Sequence, residues 1–416
     1  PTRRELDALA PDNPLVLVSQ TLHSYWANIR AFAEAGIDRN TADPGAGSYY
    51  ERDASGELTG FVAETRAGAP LLKGLKSPWK VYNRYVNVLD GLLAEGFTSV
   101  ASLGYNVPPV LAKVAASRNG TPRIRQFFYL VDEELKYLPD APDLGNPYFR
   151  VLGVKLWHDG SPYTGSMYTS TPYLDSPLAR VLGIRPGSHG EAMIPEAQLV
   201  EKIRRYTGAG WQVAIHSQGD ASNREVLRAL GTVGPLGGAS PAVRLEHGVF
   251  LPEEGMAQLA RLQVSPSFHI HHIKYYGDAL ANSIVGLQAA MQTLPVRSAF
   301  AQGVRPTLHA DSPMFPPKAF GLMQTAIDRR TGMGALLNAG QSITVQQALR
   351  AMTVNAAWQL RMEKETGSLE VGKWADLQIV DRNPYDTPIP QLDQIRTQAV
   401  YVGGKLQYAA QATSQR

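Results

Sequence analysis

Three short stretches of the sequence end apolar runs on side chains that can bind a metal ion. His216 follows the apolar run of VAIHSQGD, His247 closes RLEHG, and Asp311 lies in TLHADSP. Polar side chains in these places stand where buried strands end. Two neutral imidazoles and a carboxylate suit Zn²⁺ or a similar divalent cation, with one position left for water. Such a cation lowers the pKa of the water toward about 7, and a nearby carboxylate can accept its proton.

A lysine stands in the equivalent place on an earlier strand. Lys155 lies in GVKLWHDG, and with His216, His247 and Asp311 it makes a set of four polar side chains at strand ends. A single histidine after an apolar run is more often structural than functional, and Lys155 alone could simply pair with a neighbouring acid. The spacing of the four matches one rim of a barrel, where catalytic groups collect.

The elements that would position these side chains alternate between residues 80 and 320. The strand patterns cover 97–104, 123–130, 148–160, 211–220, 242–250, 262–272 and 304–313. The helical patterns cover 81–96, 108–120, 194–210, 222–233, 252–262 and 294–303. This alternation predicts βα units and a parallel sheet.

Seven visible strands are one short of the eight that close a barrel. A doubly wound open sheet is the competing fold, but no glycine-rich nucleotide-binding motif follows any of the strands. We therefore predict an α/β chain with a (β/α)8 TIM barrel that lacks its first strand in this chain, together with a small β-sandwich domain.

The predicted domains follow from breaks in this rhythm. Residues 1–75 are an N-terminal connection with a β-rich insert, residues 76–362 are the barrel, and residues 363–416 are the C-terminal part of the β-sandwich. Residues 160–193, rich in Ser, Thr, Pro, Gly and Tyr, form a long connection after a strand. Barrel enzymes place lids and substrate loops at that end of their strands.

The bulk composition argues against several classes of protein. The 416 residues carry a net charge of +3 with no Lys/Arg-rich run, which predicts no nucleic-acid partner. No stretch approaches the roughly 18 apolar residues of a membrane span, so no membrane partner is predicted. The absence of cysteine excludes disulfides and thiolate sites and leaves the compartment open, with cytoplasm favoured over periplasm.

Taken in order, these motifs resemble the amidohydrolase superfamily, and within it the amidohydrolase 3 branch of metal-dependent hydrolases. The resemblance runs from PTRRELDALAPDNPLVLVSQTLHSYWAN through KLWHDGS, IHSQGD, RLEHG and HADSP to TVNAAWQL and TGSLEVGKWADLQIVDRNPYD. It implies that His216 and His247 are metal ligands and that Asp311 both binds metal and relays a proton. It also places Lys155 where many members carry a carboxylated lysine that bridges two cations.

Other histidines are candidates for supporting roles. The resemblance suggests that His23 in TLHSYWAN lines the substrate pocket, although a packed structural histidine is equally compatible with the sequence. In the HIHH stretch, His269 and His271 share a face if the strand continues through them, and we expect one of them to contact substrate. His309, two residues before Asp311, points to the same side and would support the metal ligands from outside the coordination shell.

The chain also departs from the family pattern. Family members begin their barrel with an H-x-H pair on the first strand. The one comparable motif here, HIHH, lies on the sixth of the seven predicted strands, which would be the seventh strand of the complete barrel. We expect the pair to lie in a segment before Pro1, because a barrel without its first strand would expose two edges. The alternative is that this chain does not build the full two-metal site. The sequence therefore does not decide whether one or two metal ions bind.

The predicted function is a metal-dependent hydrolase that cleaves a non-peptide C–N bond with metal-activated water. The substrate would be a small molecule with an N-acyl, N-formyl or carbamate group, and the cation would be Zn²⁺, with Lys155 carboxylated. Two alternatives stay open: a relative that binds a small molecule without turnover, and a deaminase or isomerase on the same scaffold. A homo-oligomer also stays open.

Overall fold

The computed structural model of the chain describes residues 1–20, 22–45, 47–75, 78–105, 123–132, 141–142 and 146–410. Its first sheet is antiparallel, with strand order β1–β2–β4–β3. The strands are β1 (Val16–Val18), β2 (Ser24–Ala27), β3 (Tyr49–Arg52) and β4 (Leu58–Ala63). Tyr25, Tyr50 and Val62 are buried in a small core that belongs to this sheet.

Seven parallel strands form the central sheet, in the order β11–β10–β9–β8–β7–β6–β5. They are β5 (Ser99–Tyr105), β6 (Arg125–Val131), β7 (Phe149–Trp157), β8 (Gln212–Ser217), β9 (Val243–His247), β10 (Ser265–Phe268) and β11 (Thr307–Leu308). All seven strands predicted from the sequence are therefore confirmed. Because neighbouring strands run parallel, their carboxyl ends meet at one edge of the sheet.

The α-helices lie between and around these strands. They are α1 (Arg3–Leu9), α2 (Ile29–Ala35), α3 (Glu64–Gly68), α4 (Pro78–Ala94), α5 (Pro177–Val181), α6 (Glu196–Gly208), α7 (Asp220–Val233), α8 (Met256–Leu262), α9 (Gly277–Ala279), α10 (Leu287–Ala290), α11 (Val296–Ala301), α12 (Ala319–Asp328), α13 (Val345–Met352) and α14 (Val354–Gln359). Short 3₁₀ turns occupy Ala69–Leu75, Glu253–Gly255, Ala339–Gln341 and Ile389–Gln394, and π-helical turns occupy His272–Tyr276 and Leu280–Ile284. Across the described ranges, no helix is both long and apolar enough to cross a membrane.

The helices form where apolar side chains recur at helical spacing. In α7, Val226, Leu227 and Leu230 are buried on one face and pack into the main core with the strands. The helical pattern over residues 344–360 divides into α13 and α14 because the backbone of Thr353 leaves the helical region, at φ −125° and ψ −90°. The predicted helix at 108–120 lies outside the described residues.

The central sheet curls, and polar side chains bridge its concave face. The Tyr129 hydroxyl on β6 is hydrogen-bonded to Gln212 on β8 and lies 3.3 Å from Arg244 Nη1 on β9. Arg244 is also paired with Glu246, two residues further along the same strand. Contacts between strands that are not neighbours require curvature. The fold is thus a mixed α/β arrangement with a curled seven-stranded parallel sheet.

A third, antiparallel sheet ends the described chain. Its strands are β12 (Leu377–Val380), β13 (Thr397–Val402) and β14 (Lys405–Ala409), in that order. Val400 and Val402 pack against Leu93 of α4. The fully buried guanidinium of Arg125 donates to both carboxylate oxygens of Asp376, at 2.5 and 2.9 Å, which ties the start of β6 to this sheet.

Candidate metal-binding active site

His216 lies on β8 near its carboxyl end, and a buried carboxylate fixes the orientation of its ring. Asp159 Oδ1 accepts from His216 Nδ1 at 3.2 Å and from the backbone N–H of Gln218 at 2.9 Å. Burial raises the pKa of Asp159 to about 6, so the carboxylate is largely ionised at neutral pH and only accepts. Nδ1 of His216 therefore carries the ring proton, and the lone pair is on Nε2. Carboxylates orient metal-binding histidines in this way.

His247 ends β9 and lies beside two side chains from the segment after β11. His247 Nδ1 is 3.3 Å from His309 Nε2 and 4.0 Å from Asp311 Oδ2. The ring centroids of His216 and His247 are 4.3 Å apart. The ends of β8, β9 and β11 thus bring His216, His247 and Asp311 into one cluster.

Strained backbone marks several residues of this cluster. His247 has φ 74°, Asp311 has φ 52°, and Glu64, which contacts His23, has φ 68°. The left-handed region costs a residue other than glycine roughly 1–2 kcal/mol. Such strain persists only where the surrounding structure enforces it, and it is concentrated at functional sites.

The HIHH stretch is arranged differently from the strand that we expected. β10 ends at Phe268 and a π-helical turn begins at His272, so strand alternation does not extend through these histidines. His269 and His272 are the neighbours, with ring centroids 4.3 Å apart. His271 instead faces the Thr325 hydroxyl, 3.2 Å from its Nδ1. Strand alternation therefore does not apply to His269 and His271, and the expectation that one of them contacts substrate stays a prediction.

His269 extends the cluster around His247 and His309. Its ring centroid is 5.4 Å from that of His247 and 4.8 Å from that of His309. Its Nε2 is 3.0 Å from the Ala310 carbonyl, whereas its Nδ1 is buried without a hydrogen-bond partner. His309, which we expected outside the coordination shell, therefore lies between two other imidazoles.

Lys155 lies on β7 with 3% of its surface exposed, and its Nζ is 5.5 Å from the centroid of the Trp157 ring. Burial lowers its pKa to about 8, against the opposing effect of the Glu246 carboxylate. Burial first, and then the charge of Lys155, hold the pKa of His216 well below its ordinary value. The lysine is thus close enough to act on the histidine cluster.

His23 reaches the same cluster from the N-terminal sheet. Its ring centroid is 6.2 Å from that of His216, and its Nδ1 is 2.6 Å from Glu64 Oε2. The other oxygen of Glu64 accepts from Ser166 at 2.5 Å and Thr164 at 3.0 Å. Burial alone would lower the pKa of His23, but the Glu64 carboxylate outweighs it and raises this pKa above its ordinary value.

The long connection over residues 160–193 is packed against the site. Tyr163 and Tyr173 are buried, and the Tyr163 hydroxyl is 2.6 Å from His272 Nδ1. The backbone N–H of Tyr168 donates to Asp159 at 3.1 Å, and Gly219 approaches the Tyr168 carbonyl so closely that a Cβ there would lie 1.8 Å from it. The connection and the turn after β8 are therefore locked together.

The donor set fits a divalent cation. Within the described residues, one ring nitrogen from each of His247, His269 and His309 lies within 4.8 Å of the other two. Burial, before any neighbouring charge, holds the pKa of His247 and His309 well below the ordinary value, so both imidazoles are neutral and have lone pairs. Neutral imidazoles with a nearby carboxylate are the ligands that such cations take.

Glu64, Asp159 and His272 were missed as site residues from the sequence. Asp159 follows a strand end by two residues, which was an available signal. Glu64 directly follows β4, an antiparallel strand of a different sheet, and begins α3, and nothing in its local pattern indicates His23 as its partner.

Comparisons with known proteins identify the family and the fold of the chain. The amidohydrolase family model matches residues 1–408. N-substituted formamide deformylase of Arthrobacter pascens is 29% identical over 423 residues, covering 98% of this chain and 76% of the relative. The amidohydrolase YtcJ of Bacillus subtilis (strain 168) is 24% identical over 424 residues, covering 98% and 76%. The crystal structure of an uncharacterized metal-dependent hydrolase from Pyrococcus horikoshii OT3 shares the fold, with a TM-score of 0.72 at 23% identity, covering 94% of this chain and 75% of that one.

Proposed function

The chain belongs to the amidohydrolase family, in its amidohydrolase 3 branch, and from this premise we propose that it hydrolyses a non-peptide C–N bond. The substrate class is a small N-formyl or N-acyl amide or a carbamate. The name of the 29% identical formamide deformylase supports this choice, because that relative aligns over nearly the whole chain.

One observation carries the proposal. His216 and His247 lie side by side at adjacent strand ends, with ring centroids 4.3 Å apart, and Asp311 Oδ2 lies 4.0 Å from His247 Nδ1. The buried Asp159 holds His216 in the tautomer that leaves Nε2 as the donor. Two oriented imidazoles and a carboxylate at the same edge of a parallel sheet are suited to metal-assisted hydrolysis.

The proposed ligands of a divalent cation, with zinc as our choice, are His216, His247, Asp311 and Lys155. A cation bound there supplies Lewis acidity, which polarises a carbonyl oxygen and makes water more acidic. Burial of Lys155 favours its neutral amine, the form that reacts with carbon dioxide, and we include its carboxylated form in the proposal.

Asp311 has the position that proton transfer requires. Its side chain is 50% exposed, and its Oδ2 lies 4.0 Å from His247 Nδ1. In the proposed reaction Asp311 accepts a proton from the attacking water and delivers it to the departing nitrogen. His23 is held by Glu64, has its ring centroid 6.2 Å from that of His216, and would contact the substrate.

The proposed architecture is a (β/α)8 barrel in which β5 and β11 flank the place of one further strand. The antiparallel sheets before and after the barrel would contribute to a β-sandwich. This arrangement puts the cluster at the rim where barrel enzymes carry out catalysis.

An assay of the zinc-loaded chain with N-formyl and N-acyl amines tests the proposal. The measured quantity is the release of the amine and the acid. Asp311→Asn should lower kcat by about 10²–10⁴-fold, because a general base contributes roughly that much. The matched control is Asp386→Asn, an exposed acid in the C-terminal region, which should keep the wild-type rate. Equal turnover by Asp311→Asn and wild type would contradict the role of Asp311. Saturable binding of such amides without any product would favour the binding-only alternative.

A further inference from the structure

Three imidazoles from successive strands converge beside the proposed catalytic ligands. His247 ends β9, His269 follows the end of β10, and His309 follows the end of β11. One ring nitrogen from each lies within 4.8 Å of the other two. His269 and His309 stand outside the ligand set of the proposed function, so their convergence on His247 calls for its own explanation.

The spacing of the two nearest nitrogens matches shared coordination. His247 Nδ1 and His309 Nε2 are 3.3 Å apart. Two nitrogens bound to one tetrahedral zinc at about 2.0–2.1 Å are separated by roughly 3.3–3.4 Å. A hydrogen bond between two neutral imidazoles would more commonly be about 2.9–3.0 Å long. The observed separation therefore fits two ligands of one ion at least as well as a hydrogen bond.

His269 supplies a second and independent observation. The Ala310 carbonyl, 3.0 Å from His269 Nε2, can only accept, so Nε2 carries the ring proton. The lone pair is then on Nδ1, which is buried without a hydrogen-bond partner in a residue that is 1% exposed. A buried acceptor left unsatisfied costs about 1–3 kcal/mol. A cation bound at Nδ1 would remove that cost.

His309 is positioned for the same task. The Ser267 hydroxyl is 2.9 Å from His309 Nδ1 and holds the ring with Nε2 toward His247. Metal-binding imidazoles typically have their second nitrogen held by a hydrogen bond in this way.

We propose that His247, His269 and His309 form a three-imidazole position for a divalent transition-metal cation. The inference deepens the proposed function and rests on it for His247. Because a neutral imidazole has a single lone pair, the three-imidazole position and the position at His216 and Asp311 are alternative places for one cation at His247. Three neutral nitrogen donors favour zinc, cobalt, nickel or copper ions, whereas Mg²⁺ and Ca²⁺ require oxygen ligands.

The absence of cysteine from the chain permits a direct test. His269→Cys and His309→Cys each introduce the sole thiol, and each variant is loaded with Co²⁺. A thiolate bound to Co²⁺ gives a charge-transfer band in the near ultraviolet, whereas a thiol beyond bonding distance gives none. We expect the band in both variants. The matched control is His271→Cys, a buried histidine of the same stretch that faces Thr325, and it should give no band.

Metal affinity supplies a second measurement that does not depend on the new thiol. His269→Asn and His309→Asn should weaken Zn²⁺ binding by more than about 100-fold, beyond the roughly 10- to 100-fold typical of groups that only support ligands. His271→Asn should bind Zn²⁺ like the wild type. Circular dichroism of each variant shows whether it is folded, and a misfolded variant is replaced by the corresponding Gln variant.

The outcomes separate this inference from the proposed function. Cobalt binding without a charge-transfer band in both His269→Cys and His309→Cys, together with wild-type zinc affinity of the Asn variants, would overturn the three-imidazole position. Hydrolysis that depends on Asp311 would then still support the proposed function. Conversely, charge-transfer bands in a chain that hydrolyses no amide would support the cation position and contradict the proposed reaction.

Discussion

Replacing Asp159 by asparagine would show how far one buried carboxylate controls the metal site. Each oxygen of Asp159 accepts from two donors: Oδ1 from His216 Nδ1 and the N–H of Gln218, Oδ2 from the N–H groups of Gly219 and Tyr168. An amide retains one oxygen, so two donors lose their acceptor and face an NH₂ group.

The expected magnitude follows from that count. Two buried donors without acceptors cost about 1–3 kcal/mol each, or roughly 2–6 kcal/mol in the free energy of unfolding. Replacing the buried carboxylate by a neutral amide also removes the desolvation cost of its charge. The net loss in the free energy of unfolding should therefore lie toward the lower end of this range. For metal binding, loss of the group that orients His216 should weaken Zn²⁺ affinity by about 10- to 100-fold, or roughly 1.4–2.8 kcal/mol.

Competition with a chromophoric chelator measures the zinc affinity of wild type and Asp159→Asn. The control is Asp220→Asn. Asp220 starts α7, directly after the turn that follows β8, but it pairs with Ser170 and Arg224 instead of His216. In a chain that already carries His216→Asn, adding Asp159→Asn should change the zinc affinity by no more than about twofold, because the histidine that Asp159 orients is no longer present. A zinc affinity of Asp159→Asn within twofold of wild type would refute the proposed coupling.

Three further predictions concern stability. The His23–Glu64 pair should stabilise the fold fully between about pH 4.5 and 6.5, which are the ordinary pKa values of a glutamate and a histidine. This stabilisation should be lost as the pH falls through the lowered pKa of Glu64, and also as the pH rises through the raised pKa of His23. Glu64→Gln should flatten both slopes in thermal unfolding of the metal-free chain, and parallel curves would contradict this. Asp376→Ala should lower the free energy of unfolding, measured with denaturant, by about 3–5 kcal/mol, because it leaves Arg125 buried and unpaired. Its control is Asp381→Ala, at a more exposed ion pair, which should lower this free energy by about 0–1 kcal/mol. Zinc at 100 times its Kd should raise the free energy of unfolding by about 2.7 kcal/mol, and an unchanged Tm on removal of zinc by chelation would contradict a native-state metal site.

The sequence predicted the part of the molecule that depends on local periodicity. The seven strands and the places of His216, His247 and Asp311 follow from short apolar runs that end on polar residues. In a parallel sheet, strand order then brings residues distant in sequence to one edge. The clustering of these side chains was therefore predictable without knowledge of any contact.

Contacts that depend on tertiary packing could not be predicted in the same way. Glu64 reaches His23 because two antiparallel strands place their ends together, and the register of that sheet is not written in the pattern of either strand alone. His272 joins His269 because β10 ends at Phe268 and the chain enters a π-helical turn at His272. A short strand and a short helical turn look alike at this length, so the sequence did not show where the strand stops.

The shared carboxylate of Asp159 also has an evolutionary consequence. Because one side chain holds both the Tyr168 backbone in the connection over residues 160–193 and the ring of His216, that connection is not an independent module. A graft of the corresponding loop from a relative would replace the backbone donor at Tyr168 and thereby disturb His216 through Asp159. Changes of substrate preference in this lineage should therefore accumulate in segments that spare Tyr168 and Gly219, or arise together with compensating changes in the turn after β8.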